Sequence, residues 1–253
     1  VKSLVDYFTP VDEIAIPDHY FKITIPSWHA VLEPTLAVIA KEFFSDDPLN
    51  QPITDEMIRS LNIPSVSTLD ELLETTKHNY VVRLADRLFY ERILPFVLTY
   101  WQLSSEVVIN QEEWLNYQQQ RQDYLATYAK DYNMSVEEYC RNVLNIQGNL
   151  KETLEEQAKE EFIFKLIAHK VYESNGYGYE LEDYEAYIQK QSLENHEDPI
   201  ELKESLPFSV FQTQIAEIYL TQLLHDYFVP QFVFHTKDEG VDTPISEIVM
   251  EGL

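Results

Sequence analysis

The chain has 253 residues, 45% of them apolar, and sets 44 Asp and Glu against 18 Lys and Arg for a net charge of −26. A surface of that sign repels phosphate backbones, which argues against direct nucleic-acid binding, and no apolar run reaches the roughly 20 residues a membrane-spanning helix needs. Only 5 Gly are present, and neither a G-x-G-x-x-G nor a G-x-x-x-x-G-K-[ST] loop exists to hold a nucleotide.

The acidity favours basic or unfolded polypeptide partners over anionic lipid, although a plain solvated helix surface reads the same way. The single Cys140 cannot close an internal disulfide and fits a reducing compartment. The expected location is therefore the cytoplasm, or an exported site if a leader has been removed.

Residues 1–52 differ in texture from the rest. Six prolines punctuate them, and Phe21–Ile25 alternates apolar and polar, which predicts one or two strands followed by a short apolar helix over Thr35–Phe44. A short acidic helix is expected over Ile53–Leu61. Thr68 with Glu71 spells a capping box, opening an amphipathic helix that runs to about Leu94, where Pro95 should interrupt it.

The next predicted helix spans Ser105 to Tyr132. Trp114, Tyr117, Tyr124, Tyr128 and Tyr132 mark a face rich in flat side chains, with a polar belt of Gln118, Gln119, Gln120, Arg121 and Gln122 midway. Such a stripe is more often core than a binding surface. The tyrosine hydroxyls nevertheless tolerate water, and a helix lying antiparallel to Leu150–Tyr172 would leave some of them on an open groove.

Ser135 with Glu138 is a second capping box, followed by Val136, Tyr139, Cys140, Val143 and Leu144 at helical spacing. Gly148 breaks the run and Asn149 with Glu152 restarts it. Leu150, Leu154, Ala158 and Phe162 continue along one face. From Phe162 to Tyr172 the helix turns apolar on nearly every side, so neighbours or a bound molecule must cover it. Asn175, Gly176 and Gly178 end it. A shorter helix over Glu180–Leu193 and a last long helix over Phe208–Phe228 follow, with a polar loop up to Pro199 between them. The tail from Phe232 is mixed, with a turn at Asp238–Glu239–Gly240.

The S-x-E-E-Y helix start, the glycine-marked break and the long L-x-E-x-x-E-E-x-A-K-x-x-F-x-x-x-L-I-A helix resemble the C-terminal chaperone domain of bacterial trigger factors, over roughly residues 53–230. A helical module of SurA-like chaperones is more distantly similar. The resemblance implies a mainly α fold of elongated multi-helix arms, with residues 53–230 as the helical domain. Residues 1–52 then read as a strand-containing remnant or trailing edge, and 231–253 as a tail. Residues 1–52 are too few for that family's prolyl isomerase domain, and its ribosome-docking G-F-R-x-G-x-x-P loop is absent.

Chemistry-bearing pairs are sparse. His169 and Glu173 stand at i, i+4 but lack a third ligand, so no metal or other cofactor is expected. Cys140 lies on an apolar helix face with no activating partner. His225 and Asp226, adjacent on a helix, should point apart. No catalytic signature is present, and the chain is not expected to be an enzyme.

The expected function is an ATP-independent chaperone holding unfolded or nascent polypeptides in an apolar cradle. Phe96, Tyr100, Trp101, Trp114, Tyr117, Tyr124 and Tyr128 are the candidate client contacts. The alternative is a helical adaptor or oligomerisation scaffold for one defined partner, including a second copy in a homodimer.

Overall fold

Local capping chemistry sets most helix starts. In the structure, a computed structural model that describes residues 2–44, 52–237 and 242–244, Thr68 and Ser135 each accept from the backbone N–H three residues on. Glu71 and Glu138 reach back to the cap N–H, completing both boxes. Asn110 and Asn149 cap two of the long helices in the same way.

The protein is mainly α. In chain order the elements are β1 (Leu4–Tyr7), β2 (Lys22–Ile25), α1 (Trp28–Phe43), α2 (Asp55–Ser60), α3 (Leu69–Leu88), α4 (Leu94–Ser104), β3 (Glu106–Val108) and α5 (Gln111–Asp131). They continue with α6 (Val136–Asn142), α7 (Leu150–Ser174), α8 (Leu181–Asn195), α9 (Pro199–Ser205), α10 (Phe208–Phe228), β4 (Val233–Thr236) and β5 (Asp242–Pro244). The chain divides into two compact units. Of the described residues, unit 1 takes those up to Ile14 with Pro95–Leu224, and unit 2 takes Ala15–Leu94 with those from His225 onward.

Unit 1 is organised around α7. Phe162, Ile163, Phe164, Ile167, Ala168 and Tyr172 are all buried, which accounts for an apolar sequence that faces several directions at once. α5 lies antiparallel along one side, since Trp114 and Tyr117 meet Phe162 while Arg121 reaches Leu154, nearer the start of α7. On another side Trp101 of α4 packs against Phe164 and Phe8. Tyr172 meets Tyr219 of α10, and Tyr184 of α8 packs on Phe208 and Phe211. β1 pairs antiparallel with β3. Gly176, at φ +80, turns the chain after α7 in a conformation that glycine adopts without penalty.

Unit 2 has a sheet of order β2-β4-β5, with β2 and β4 parallel and β4 and β5 antiparallel. Phe21, Phe228 and Phe232 pack their rings beside it. A second cluster joins Ile39 of α1, Ile58 of α2, Val66 in the connection between α2 and α3, and Leu72 of α3. His225 of α10 bonds Asp86 of α3 through Nε2 at 2.9 Å, with Phe89 edge-on to the imidazole.

Several boundaries differ from the sequence reading. Pro95 does not break the helix: a π turn over Phe89–Ile93, in which Leu94 N–H reaches back to Phe89 O, widens the spiral just before it and accommodates the proline. The helix expected from Ser105 starts only at Gln111, because the β-branched Val107 and Val108 pair with β1. The loop expected before Pro199 is shorter, and residues from Pro199 form α9. The described residues of the segment 1–52 and of the tail do not stand apart from the remainder. A strand needs a partner for its edge, and β1 finds it at β3 while β2 finds it at β4. Expected boundaries at 52 and 230 therefore do not coincide with the two units. The turn at Asp238–Glu239–Gly240 lies outside the described residues.

Trp101 is 1% exposed and its indole N–H donates to Thr9 O at 2.8 Å. Trp101→Phe should strand that buried carbonyl and cost about 1–3 kcal/mol, whereas Trp101→Ala should cost about 3–5 kcal/mol. Denaturant midpoints of the unit 1 transition check both values, and a Trp101→Phe variant as stable as the wild type would contradict the role given to the hydrogen bond.

Candidate functional site

Between α5 and α7 the packing leaves a groove of about 850 Å³ within unit 1. Its α5 wall is Glu113, Asn116, Tyr117 and Gln120, one face at steps of three and four. Its α7 wall carries Phe162, Lys165, Leu166, His169, Lys170 and Glu173, and Lys2–Val5, at and just before the start of β1, border the space. The floor is apolar and aromatic. Asn116 and Gln120 place two exposed amide side chains one turn apart at the rim.

Polar contacts fix the walls. Arg121 makes a two-pronged bond to Glu161, from Nε at 2.8 Å and Nη2 at 3.0 Å, and also donates to Leu154 O at 3.3 Å. The Tyr117 hydroxyl donates to the same Glu161 carboxylate at 3.2 Å. Burial, with that carboxylate beside it, drives the Tyr117 phenol well above its ordinary pKa, so it stays protonated as a donor. Lys170 Nζ donates to Asp6 O at 3.2 Å and to Val5 O at 2.6 Å, tying β1 to α7. Ser3 N–H donates to Glu113 Oε2 at 2.8 Å, and the hydrogen bonding to Ser3 holds that carboxyl below the usual range.

The groove is close to neutral although the chain is strongly acidic. Lys2, Lys165 and Lys170 offset Glu113 and Glu173 along its lining. Lys165 Nζ also lies 3.8 Å from Glu217, whose carboxyl is pushed upward mainly by burial.

No protein-family model matches this chain, and no curated protein or solved structure does either.

The structure separates the seven aromatic residues singled out in the sequence. Trp101 is sealed in the interior and has no surface to offer a client, because its ring is taken up by Phe8, Phe164 and the Thr9 carbonyl. Phe96 and Tyr100 form a stacked, half-buried pair on α4. Trp114 and Tyr117 stack on each other at 6.2 Å and both meet Phe162, with Tyr117 in the groove itself. Tyr124 and Tyr128 are 64% and 52% exposed and sit further along α5 with the equally open Tyr132. Val136, Val143 and Leu144 around the neighbouring α6 are exposed too.

The sequence reading did not single out Asn116, Gln120, Leu166 or Lys170 as site residues. The 113–116–117–120 spacing was legible, but which face of α5 is left uncovered depends on α7 and β1.

Two expectations about polar pairs are corrected or filled in. His225 and Asp226 do not point fully apart, since Nδ1 lies 3.7 Å from the Asp226 carboxylate, while the closer partner of His225 is Asp86. His169 has Tyr179 as its partner, Nδ1 to hydroxyl at 2.6 Å. Among the described residues, no three His, Cys, Asp or Glu side chains converge as metal ligands would. Cys140 is buried, and burial raises its thiol pKa.

Burial, then the charge of Lys165, lowers the His169 pKa, and burial pushes Tyr179 up to about 12, so both are neutral at pH 7. A histidine with a depressed folded pKa binds fewer protons folded than unfolded as the pH falls below its ordinary value of about 6.5. Its burial therefore costs nothing above that value and lowers stability progressively below it. The melting temperature of the wild type should fall more steeply than that of His169→Gln between pH 7.5 and pH 5. Parallel curves for the two proteins would show that His169 does not carry this effect.

Proposed function

We propose that this chain is an ATP-independent holdase of the trigger factor kind, binding non-native polypeptide segments. The observation that carries the reading is the groove between α5 and α7, with an apolar floor of Tyr117, Phe162 and Leu166 beneath the amides of Asn116 and Gln120. An extended segment laid there would bury side chains against the floor, while the amides offer both donors and acceptors to a peptide backbone whatever its sequence. Near-neutral charge in the groove admits segments of either sign. The acidic surroundings keep two loaded copies apart.

The open row of Tyr124, Tyr128 and Tyr132 would extend the contact along α5. Covering roughly 100 Å² of apolar surface on one tyrosine contributes about 2–3 kcal/mol before ordering costs. Micromolar holding needs about 8 kcal/mol, so several such contacts must act at once, each weak enough for release. The trigger factor resemblance in helix starts and breaks agrees with this reading but does not carry it. Among the described residues no helix is long and apolar enough to cross a membrane. A single buried thiol fits a cytoplasmic setting for the activity.

One observation favours the contrasting reading of an adaptor. The exposed Tyr124, Tyr128, Val136, Val143 and Leu144 follow one another on α5, α6 and the residues just after α6, as residues of a patch for one partner would. Light scattering from several unrelated denatured proteins separates the two. A holdase suppresses their aggregation at near-equimolar ratio, and Tyr124→Ser/Tyr128→Ser should raise the amount required by about two- to fivefold without changing the helical signal. Indifference to all of those proteins would support the adaptor and sink the holdase.

A further inference from the structure

A second cleft, in unit 2, has the opposite electrical character from the rest of the chain. It lies between α1 and α3, has a volume of about 440 Å³, and presents Thr35, Thr76, Asn79, Tyr80, Arg83 and Arg87 over Val31 and Leu84. Two of the chain's six arginines stand here one helical turn apart, and no carboxylate is among these lining residues in a protein with 44 Asp and Glu. The polar groups are nearly all able to donate hydrogen bonds. Arg87 is drawn only weakly aside, by Glu91 at 3.9 Å, and the Thr76 hydroxyl donates back to Leu72 O. A little further along α3, Lys77 adds a third cation, its ammonium 5.7 Å from the Trp28 ring and paired with Glu74.

We propose that this cleft binds the phosphate group of a small phosphate monoester, independently of the polypeptide groove in unit 1. Two guanidiniums at i, i+4 form adjacent forks that match tetrahedral oxyanions, and guanidinium–phosphate bonds are charge-assisted and geometrically selective. Thr35, Asn79 and Tyr80 supply the neutral donors that complete the oxygen shell. Val31, Leu84 and the Tyr80 ring give the organic half of the ligand an apolar wall. The overall negative charge does not forbid this, because at physiological ionic strength charges beyond about 8 Å are largely screened while the two arginines act in contact. That same charge argues against a long polyanion, whose remaining phosphates would lie over acidic surface.

Calorimetric titration of the full chain at 0.15 M salt tests the assignment, with inorganic phosphate, phenyl phosphate and succinate as probes. Both phosphates should bind and succinate should bind at least about fivefold more weakly. Tighter binding of phenyl phosphate identifies an organic monoester as the ligand, and equal binding identifies the free anion. Arg83→Gln and Arg87→Gln should each weaken phosphate binding by about fivefold or more. Arg59→Gln, which removes the same charge elsewhere in unit 2, should leave it unchanged, and all three variants should keep the wild-type melting temperature within a few degrees. No heat with either phosphate, succinate binding as tightly as phosphate, or equal weakening by Arg59→Gln would each overturn the proposal. Aggregation suppression is unaffected by any of these outcomes, so the two readings fail separately.

Discussion

The C-terminal half of α7 carries apolar side chains around most of its circumference, and unit 1 is the solution to covering them. A helix of that kind cannot rest on one neighbour. α4 supplies Trp101 against Phe164, α5 supplies Trp114 and Tyr117 against Phe162, and α10 supplies Tyr219 against Tyr172. The remaining side meets β1, held by the Lys170 ammonium on the backbone carbonyls of Val5 and Asp6. A lysine used this way gives up hydration for two carbonyl bonds. In return it fixes a short strand that could not hold a helix by side-chain packing alone.

The groove is where this covering stops. α5 and β1 each take one flank of α7 and are tied together where Ser3 bonds Glu113, and Phe162, Leu166 and His169 line the gap left between them. Arg121, bonded to Glu161 and to the Leu154 carbonyl, ties α5 to α7 at the far end of the opening. Rigid, hydrogen-bonded walls around an apolar floor cost little further ordering when a segment binds, which is the economy a sequence-tolerant holding site requires. The neutral, donor-and-acceptor rim of Asn116 and Gln120 fits that role better than a charged rim would, since a charge would select clients by sign.

What was legible in the sequence was local. Ser135, Thr68, Asn149 and Gly176 specify helix ends through bonds made within a few residues, and the structure places those ends close to where the chain itself implies. The mainly α class followed from the same signals. Pairing over long separations was not legible. Nothing in Leu4–Tyr7 announces Glu106–Val108 as its partner, and nothing in Lys22–Ile25 announces Val233–Thr236. The aromatic residues show the same limit. Trp101 and Tyr124 both sit on helices at plausible core spacing, yet one is 1% exposed and the other 64%, because only the first has Phe8 and Phe164 opposite it. Exposure belongs to the neighbour as much as to the residue.

The central claim is that non-native polypeptide occupies the α5–α7 groove, and site-specific photo-crosslinking tests it most directly. A photoreactive phenylalanine analogue replaces Gln120 at the rim, and in a second protein it replaces Glu204, an exposed residue of α9 away from the groove lining. With a denatured client present, irradiation should give a covalent adduct from position 120 and little from position 204. Equal yields from the two positions, or no adduct from position 120 under conditions where client aggregation is suppressed, would contradict the account.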